Sequence, residues 1–526
     1  MNQSSPLRQR IADWSPEVRN VFILAVCVTI VRLVGAALMD LGIDEAYYWT
    51  WSRHLAASYY DHPPMVAYLI SLSTMVLGDG PLPVRLPAIV LSAFSIFLVY
   101  RLAHRIYNSE RIGWLAALYC TLCPLTFALG LFMIPDAPLL FFSLLAMNAF
   151  WDFANGRRRA WCLFGIALGL ALLSKYTAIV FVVSACIFLV STTETRRHLL
   201  SQRGFTKAVA LAFLIFLPVI LWNAQHHWIS FSFQIKHGLG ESGRAWWVLL
   251  LASILAQIGY VSPVLWAGSV GAAVRAIKHY AASASARFLV AFGVIPVAFF
   301  LLAGLRSPGL PHWAGVGYAV LLLGVAAWSA ERQHVKKWMF WGTCALGTLP
   351  MLVLSTHAVL GLVDLPATAN VGGREVIIRD PTAVFHGWDE WSRTVEKETS
   401  RGGKAAGVAA VVTHSWIIGG KASYALRGKA LPVVVWRQGR TSQFDFWSTP
   451  DDYIGRDLLF VTTSEFDSAG RGLQAHNLYE ADHFESLPDL APLRAHAQSL
   501  RFHMEILRGF RGLARDPDDA THQRSL

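Results

Sequence analysis

Between Asp44 and Met65 the chain reads DEAYYWTWSRHLAASYYDHPPM, which sets Asp44-Glu45 and Asp61-His62 among six aromatic rings directly after an apolar run. If the first part is helical, Asp44, Tyr47, Tyr48 and Trp51 share a face. A carboxylate held beside apolar surface resists ionisation, and that suits a general base that must take a proton from a hydroxyl or an amine. Pro63 and Pro64 stiffen the chain after His62 and keep the imidazole near the same place. Taken singly, each of these residues is an ordinary anchor at the end of a helix. Gathered on one loop, they describe a site.

The elements that must position this loop follow from composition. Over 526 residues the chain is 54% hydrophobic and 15% charged, with a mean hydropathy of +0.43, too apolar for a soluble domain. The expectation is a polytopic α-helical membrane protein. Apolar runs near 21–39, 82–101, 112–132, 137–153, 160–174, 176–191, 206–222, 246–270, 288–305, 312–329 and 338–361 read as about eleven transmembrane helices. The first has no cleavage site after it and reads as a retained span. Residues 65–77 are too short to cross and read as an outer juxtamembrane helix.

Basic clusters alternate with pairs of spans: Arg8, Arg10 and Arg19; Arg101, Arg105 and Arg111; Arg157 to Arg159; Arg196, Arg197, Arg203 and Lys207; Arg275, Lys278 and Arg287; Arg332, Lys336 and Lys337. Held on the cytoplasmic side, they put the first loop and the C-terminal region on the outer face. The net charge of +11 and pI near 9.4 are thus a topology signal and an attraction to anionic lipid, with no nucleic acid partner expected and no P-loop or GxGxxG present.

Ionisable groups at membrane depth cost ~2.5–3.5 kcal/mol each and are functional candidates. On the outer face these are Asp44, Glu45, Asp61, His62, Arg85, Asp136, Lys175, His226, His227, His237, Arg306 and His312. Lys175 and Arg306 suit a phosphate, although Lys175 serves equally to cap a helical hairpin. His226 and His227, near Trp228 and Phe231, suit a sugar ring or the lipid headgroups. The acids would admit a divalent cation, but no fixed-spacing metal signature exists. Cys120 and Cys123 lie inside an apolar run, so neither zinc nor disulfides are expected.

Three domains are expected: a transmembrane domain over 1–361 with its first outer loop at 40–80, a small α/β exterior domain over 362–514, and a disordered tail over 515–526. In the exterior domain AAGVAAVVTHSW, LPVVVW and DLLFVTT read as buried strands and KASYALRG as a helix.

Several motifs together resemble the dolichyl-phosphate-mannose protein mannosyltransferase superfamily, particularly the bacterial branch that includes the aminoarabinose and galacturonic acid transferases of lipid A. They are Asp44-Glu45 after the first span, YYDHPPM closing the first outer loop, Arg85 in VRLPA, Pro135-Asp136, and Ser174-Lys175-Tyr176. Gln443 to Trp447, after Ala422 to Tyr424, resembles a stretch of its bacterial members. The resemblance implies the C-type glycosyltransferase fold and an inverting transfer of a sugar from a polyprenyl phosphate donor. It implies Asp44 as catalytic base with Glu45 supporting it, Arg85 on the donor phosphate, and His62, Lys175, Asp136, Tyr48, Tyr60, Asp61, Arg306 and His226 as further candidates around phosphate and sugar. His62 stands where aminoarabinose transferases carry Lys, which argues against a strict aminoarabinose enzyme.

The chemistry agrees with what the resemblance implies: the acceptor needs a base, the departing phosphate needs cations, and the lipid tail needs access from the bilayer. The expected acceptor is lipid A, the lipopolysaccharide core or another envelope glycan on the periplasmic face of a bacterial inner membrane. No cofactor is required. The alternatives are a protein O-mannosyltransferase, a flippase, or a non-catalytic sugar-lipid binding subunit.

Overall fold

The computed structural model describes residues 14–157, 159–193, 203–240, 243–306, 310–363, 368–371, 374–377, 380–436, 441–464, 474–491 and 500–514. Arg8, Arg10, Arg158, Arg196, Arg197, the side chain of His237 and the tail at 515–526 lie outside them. By contacts the chain separates into two compact units. One holds 1–36, 56–73 and 85–353; the other holds 37–55, 74–84 and 354–526.

The first unit is helical. Pro16–Leu38 opens with the Ser15 hydroxyl accepting from the Val18 amide at 3.3 Å, and its 23 residues reach ~34 Å at 1.5 Å each, enough for a hydrocarbon core of ~30 Å. Among the described residues, seven helices are long and apolar enough to cross a membrane. This is a multi-pass membrane protein. Three shorter apolar helices, Met65–Leu77, Ala160–Ser174 and Tyr176–Val190, supplement them.

Among the described residues, two of the eleven expected runs are interrupted. The run expected over 112–132 breaks at Cys123-Pro124 into Glu110–Leu122 and Pro124–Leu129, because proline has no amide hydrogen to continue the ladder. The run over 246–270 is two helices, Trp246–Val261 and Pro263–Lys278, bent by 109°. At the corner Ser262 takes φ +83°, and its hydroxyl caps the second helix by accepting from the Leu265 amide at 3.3 Å. A β-carbon on Gly347 would lie 2.7 Å from the Ser262 β-carbon, so the corner fits only against a glycine. Apolar composition alone could not reveal either break.

Helix Asp136–Ala154 ties the unit together, with an acid near each end. Asp152 gathers Arg101 at 2.9 Å, Arg105 in direct contact, and Arg157 at 3.7 Å. Two of the basic clusters therefore meet at one end. Asp136, sixteen residues earlier, lies roughly 24 Å away along the axis. Between them Leu144, Met147 and Phe150, with Phe153 just beyond, are buried in the main core with Phe164, Phe188, Phe288 and Phe292.

In the second unit a hairpin, β1 (Thr368–Val371) and β2 (Arg374–Ile377), precedes a five-stranded sheet. Its strands are β3 (Ala410–Thr413), β4 (Val433–Val435), β5 (Leu458–Thr463), β6 (Tyr479–Ser486) and β7 (Phe502–Leu513), in the order β4-β3-β5-β7-β6. The pairs around β3 are parallel, and those made by β7 are antiparallel. Alternate residues feed two cores. Val411, Leu459, Val461, Met504 and Ile506 meet Trp391, Val395, Ile418 and Ala422, whereas Val412, Val434, Phe460, Leu507 and Phe510 meet Trp436 and Tyr479 on the other face.

The second unit also includes the helix Ile43–Arg53. Its aromatic face packs on helix Trp416–Ala425, although the sequence had grouped it with the transmembrane segments.

In β7, the His503 imidazolium donates to Glu505 at 2.8 Å and to Asp489 at 2.9 Å. The bond to Glu505, with that to Asp489, lifts the imidazole to about 9 against the opposing effect of its burial. Burial works to raise Glu505, yet His503 and the Ala475 amide hold its carboxyl below the usual glutamate range. The His503 contribution is therefore fully present below ~6.5 and disappears as pH rises through about 9, while that of Glu505 disappears as the solution turns strongly acid. We expect the melting temperature of the full chain to fall between pH 8 and 10 by roughly 2–4 °C more than that of His503→Gln. Parallel curves for the two proteins would show that the imidazolium adds no stability.

Candidate active site

The helix Ile43–Arg53 starts at Gly42, whose amide donates to the Glu45 carboxylate at 2.9 Å. Glu45 is buried and serves the helix start. Asp44 is exposed in the same first turn. Among the rings that follow, Tyr47 and Tyr48 each meet Trp51 edge-on, at 5.1 and 4.9 Å between centroids. Tyr48, a sugar-binding candidate in the sequence, is buried in this cluster. Farther along, Trp49 Nε1 donates to Asp79 at 2.8 Å, and Arg53 pairs with Asp79 at 3.5 Å.

In the first unit the loop 56–64 is fastened at several points. The Tyr59 amide donates to the His62 carbonyl at 3.2 Å, the Ala56 amide to the Tyr59 hydroxyl at 3.1 Å, and the Ser230 hydroxyl to the Tyr59 carbonyl at 2.8 Å. Gln234 donates to the Asp61 carbonyl, and Tyr60 is buried against Phe233 at 4.7 Å. Ser230, Phe233 and Gln234 all belong to helix Ile229–Leu239, so one helix fastens the chain at Tyr59, Tyr60 and Asp61.

Beside that turn lies a buried charged group. Lys175 Nζ donates to Asp136 Oδ2 at 2.7 Å, with both side chains at most 5% exposed. His312 Nε2 stands 3.7 Å from the same oxygen, and the Trp313 ring centroid is 5.9 Å from Lys175 Nζ. His62 is within electrostatic range of Asp136, as Asp61 is of Tyr176. The Tyr176 hydroxyl is 3.2 Å from that of Ser58 and accepts from Asn223 at 3.4 Å. These contacts bring Asp61, His62, Asp136 and Lys175 into one neighbourhood. Local structure explains the placement: Asp136 opens the Asp136–Ala154 helix, Lys175 closes the Ala160–Ser174 helix, and His312 lies in the turn that opens Pro311–Ala314.

Arg85 is fully buried, donating to the Ala36 carbonyl at 3.3 Å with Phe132 under its guanidinium at 5.4 Å. His226 stacks on Trp222 at 3.9 Å and is hydrogen-bonded through Nδ1 to the Trp222 carbonyl at 2.8 Å. Arg306 is exposed next to 307–309, which lie outside the described residues. Sequence reasoning placed His312 on the outer face without giving it a role, and gave none to Tyr176 or Asn223. The position of His312 at the start of a span, mirroring Asp136, was the available signal. Among the described residues, no group of three or more His, Cys, Asp or Glu side chains is arranged to hold a metal ion.

Residues 61–222 match the sequence profile of the dolichyl-phosphate-mannose-protein mannosyltransferase family. The matched profile is that of the expected superfamily. The matched segment carries Asp61, His62, Arg85, Asp136 and Lys175, and leaves out Asp44 and Glu45. Among curated proteins, the chain is 26% identical over 318 residues to the lipid A galacturonosyltransferase RgtD of Rhizobium johnstonii, covering 58% of this chain and 64% of that protein. It is 28% identical over 276 residues to an undecaprenyl phosphate-alpha-4-amino-4-deoxy-L-arabinose arabinosyl transferase of Pseudomonas aeruginosa, covering 49% of this chain and 48% of that one. The match thus spans less than two thirds of each relative. Among solved structures, ArnT from Cupriavidus metallidurans superposes with a TM-score of 0.58 at 15% identity, over 92% of this chain and 97% of the other. That likeness establishes the C-type glycosyltransferase fold.

The buried Lys175–Asp136 pair makes a direct prediction. Lys175→Met strands a carboxylate in a low-dielectric interior and should cost ~3–5 kcal/mol, whereas Asp136→Leu with Lys175→Met should recover most of that stability. Thermal unfolding in detergent micelles measures both. A double variant no more stable than the single one would mean the two charges do not act as a pair.

Proposed function

We propose that this protein is an inverting glycosyltransferase of the bacterial inner membrane. It moves one sugar from a polyprenyl phosphate to lipid A or the lipopolysaccharide core on the periplasmic face, with the second unit also in the periplasm. The observation that carries the proposal is the buried Asp136–Lys175–His312 group beside the Asp61-His62 turn; all of these except His312 lie in the segment whose sequence matches a family named for transfer from a lipid-linked sugar phosphate. The relatives named above add the acceptor, lipid A, and undecaprenyl phosphate as the carrier.

The step is a single displacement. Asp44, exposed on its helix, takes the proton of an acceptor hydroxyl as that oxygen attacks the anomeric carbon. The bond from that carbon to the phosphate oxygen breaks, and its electron pair leaves with the phosphate. Arg85 holds the phosphate through charge-assisted bonds, and a guanidinium can make two in parallel. Lys175 contributes positive charge with its orientation fixed by Asp136, while His62 and Asp61 border the sugar. The proposal invokes no cofactor, and a divalent cation is a variable to test with a chelator.

A protein O-mannosyltransferase is the second reading, favoured by the description of the matched family. Mass spectrometry of lipid A, core oligosaccharide and envelope proteins from cells with the wild-type chain, Asp44→Asn or no chain separates the two. We expect one hexose- or uronic-acid-sized increment on lipid A or core in wild-type cells only. The same increment on protein would establish the second reading, and no difference anywhere would refute a transferase.

With purified protein, Asp44→Asn should lower transfer by about 10²–10⁴ with undecaprenyl phosphate affinity unchanged. Arg85→Ala should weaken that affinity at least about tenfold, or ~1.4 kcal/mol. Equal loss of affinity in both variants would contradict this division of roles.

A further inference from the structure

The second unit contains a clamp on the segment that leads into Asp44. Lys421, only 1% exposed, sits on helix Trp416–Ala425. Its ammonium donates to Asp40 Oδ2 and to the Leu41 carbonyl, both at 2.7 Å, and lies 5.5 Å from the centroid of the Trp388 ring. Asp40 also accepts from the Leu41 amide at 2.7 Å. Two residues later Gly42 starts the helix that carries Asp44, and its amide is held by Glu45.

A second tie follows one turn into that helix. The Gln443 amide donates to the Tyr47 hydroxyl at 2.7 Å, while the Tyr47 ring stacks with Phe444 at 5.8 Å and tilts against Trp416 at 4.9 Å. The sequence Gly419-Gly420-Lys421 makes both ties reachable. A β-carbon on Gly420 would stand 2.9 Å from the Tyr47 α-carbon, and one on Gly419 would run into Val435 and Phe444. The two helices therefore approach backbone to backbone, close enough for the lysine to end on the Asp40-Leu41 peptide.

We infer that Lys421 is a positioning residue for the transfer reaction: by fixing the Asp40-Leu41 segment it sets the direction in which the Asp44 carboxylate leaves its helix. Tyr47, held by Gln443 and Phe444, fixes the rotation of that helix. The inference rests on the assignment of Asp44 as base. An ammonium buried at this depth is costly unless fully engaged, and a clamp that only added stability would be served as well by an apolar side chain. What the ion pair adds is a defined direction. General-base catalysis is sensitive to it, because a displacement of about 1 Å can cost roughly a hundredfold in rate.

The test compares the full chain in proteoliposomes as wild type, Lys421→Met, Lys421→Arg, Asp40→Lys, the exchange Asp40→Lys with Lys421→Asp, and Asp44→Asn. Three quantities are read: the lipid A increment formed per minute at saturating donor extract, affinity for undecaprenyl phosphate, and the melting temperature. Lys421→Met is expected to lower the saturated rate at least about thirtyfold, with affinity within twofold and melting within a few degrees of wild type. Lys421→Arg and the exchange are expected to regain at least a third of the rate, while Asp40→Lys alone does not. Three outcomes would each overturn the inference: a full rate in Lys421→Met, a loss of rate matched by a loss of folded protein, or an exchange no better than Asp40→Lys alone. Full activity in Asp44→Asn would instead overturn the assignment of the base. In that case hydrogen exchange of the amides over 42–50, unchanged in Lys421→Met, would also remove the clamp.

Discussion

A charge taken out of water in a membrane-embedded bundle must bring its partner with it, and the helical unit is organised around that constraint. Asp152 satisfies it with three arginines at one end of its helix, and Asp136 with Lys175 and His312 near the other. In a low-dielectric interior an unpaired ion is costly, so each of these contacts also fixes which helix ends meet. Arg32 shows the same rule with neutral partners: deep in Pro16–Leu38, it donates to the Ser92 hydroxyl at 2.9 Å and to the Thr126 carbonyl at 3.2 Å, over the Phe127 ring. That carbonyl belongs to the short helix after the Cys123-Pro124 break. The break and the buried arginine thus accommodate one another.

The proposed chemistry draws on the same expense. A phosphate leaving group needs cations already in place and held in a fixed direction, because reorganising them during the reaction would raise the barrier. Arg85, fully buried over Phe132, and Lys175, aimed by Asp136, are cations of that kind. Asp44, the proposed base, is their opposite: exposed, on the first turn of a short helix. Burial for the groups that hold charge and exposure for the group that takes a proton are both reasonable on physical grounds.

Much of this was legible in the sequence, for reasons that can be named. Apolar runs mark helices through hydropathy, so Pro16–Leu38, Pro81–Tyr107 and Asp136–Ala154 sit where they were expected. The strands β3, β4 and β5 are continuous apolar stretches and were equally visible. By contrast, β7 carries His503, Glu505 and Arg508 among its apolar residues, and their partners, such as Asp457 and Asp489, come from distant segments. The 109° corner at Ser262 depends on a backbone angle and on a glycine 85 residues away, neither of which leaves a local trace. The polar residues of the first outer loop were readable as a group because they are close in sequence. The placement of the Asp44 helix was not, since its aromatic face suits a lipid interface as well as the partner helix it has.

The contact between Lys421 and Asp40 joins residues 381 apart in the chain. A ribosome adding ~5–20 residues each second needs roughly 20 to 80 s to make that stretch. Through that interval the segment before Asp44 exists without its lysine, while the spans between are being inserted. The aromatic face of Ile43–Arg53, rich in Tyr and Trp, has an affinity for the headgroup layer that can shelter it meanwhile. Docking of that helix is therefore a late event in biogenesis, and it ties the moment at which the molecule becomes competent to the completion of its C-terminal half.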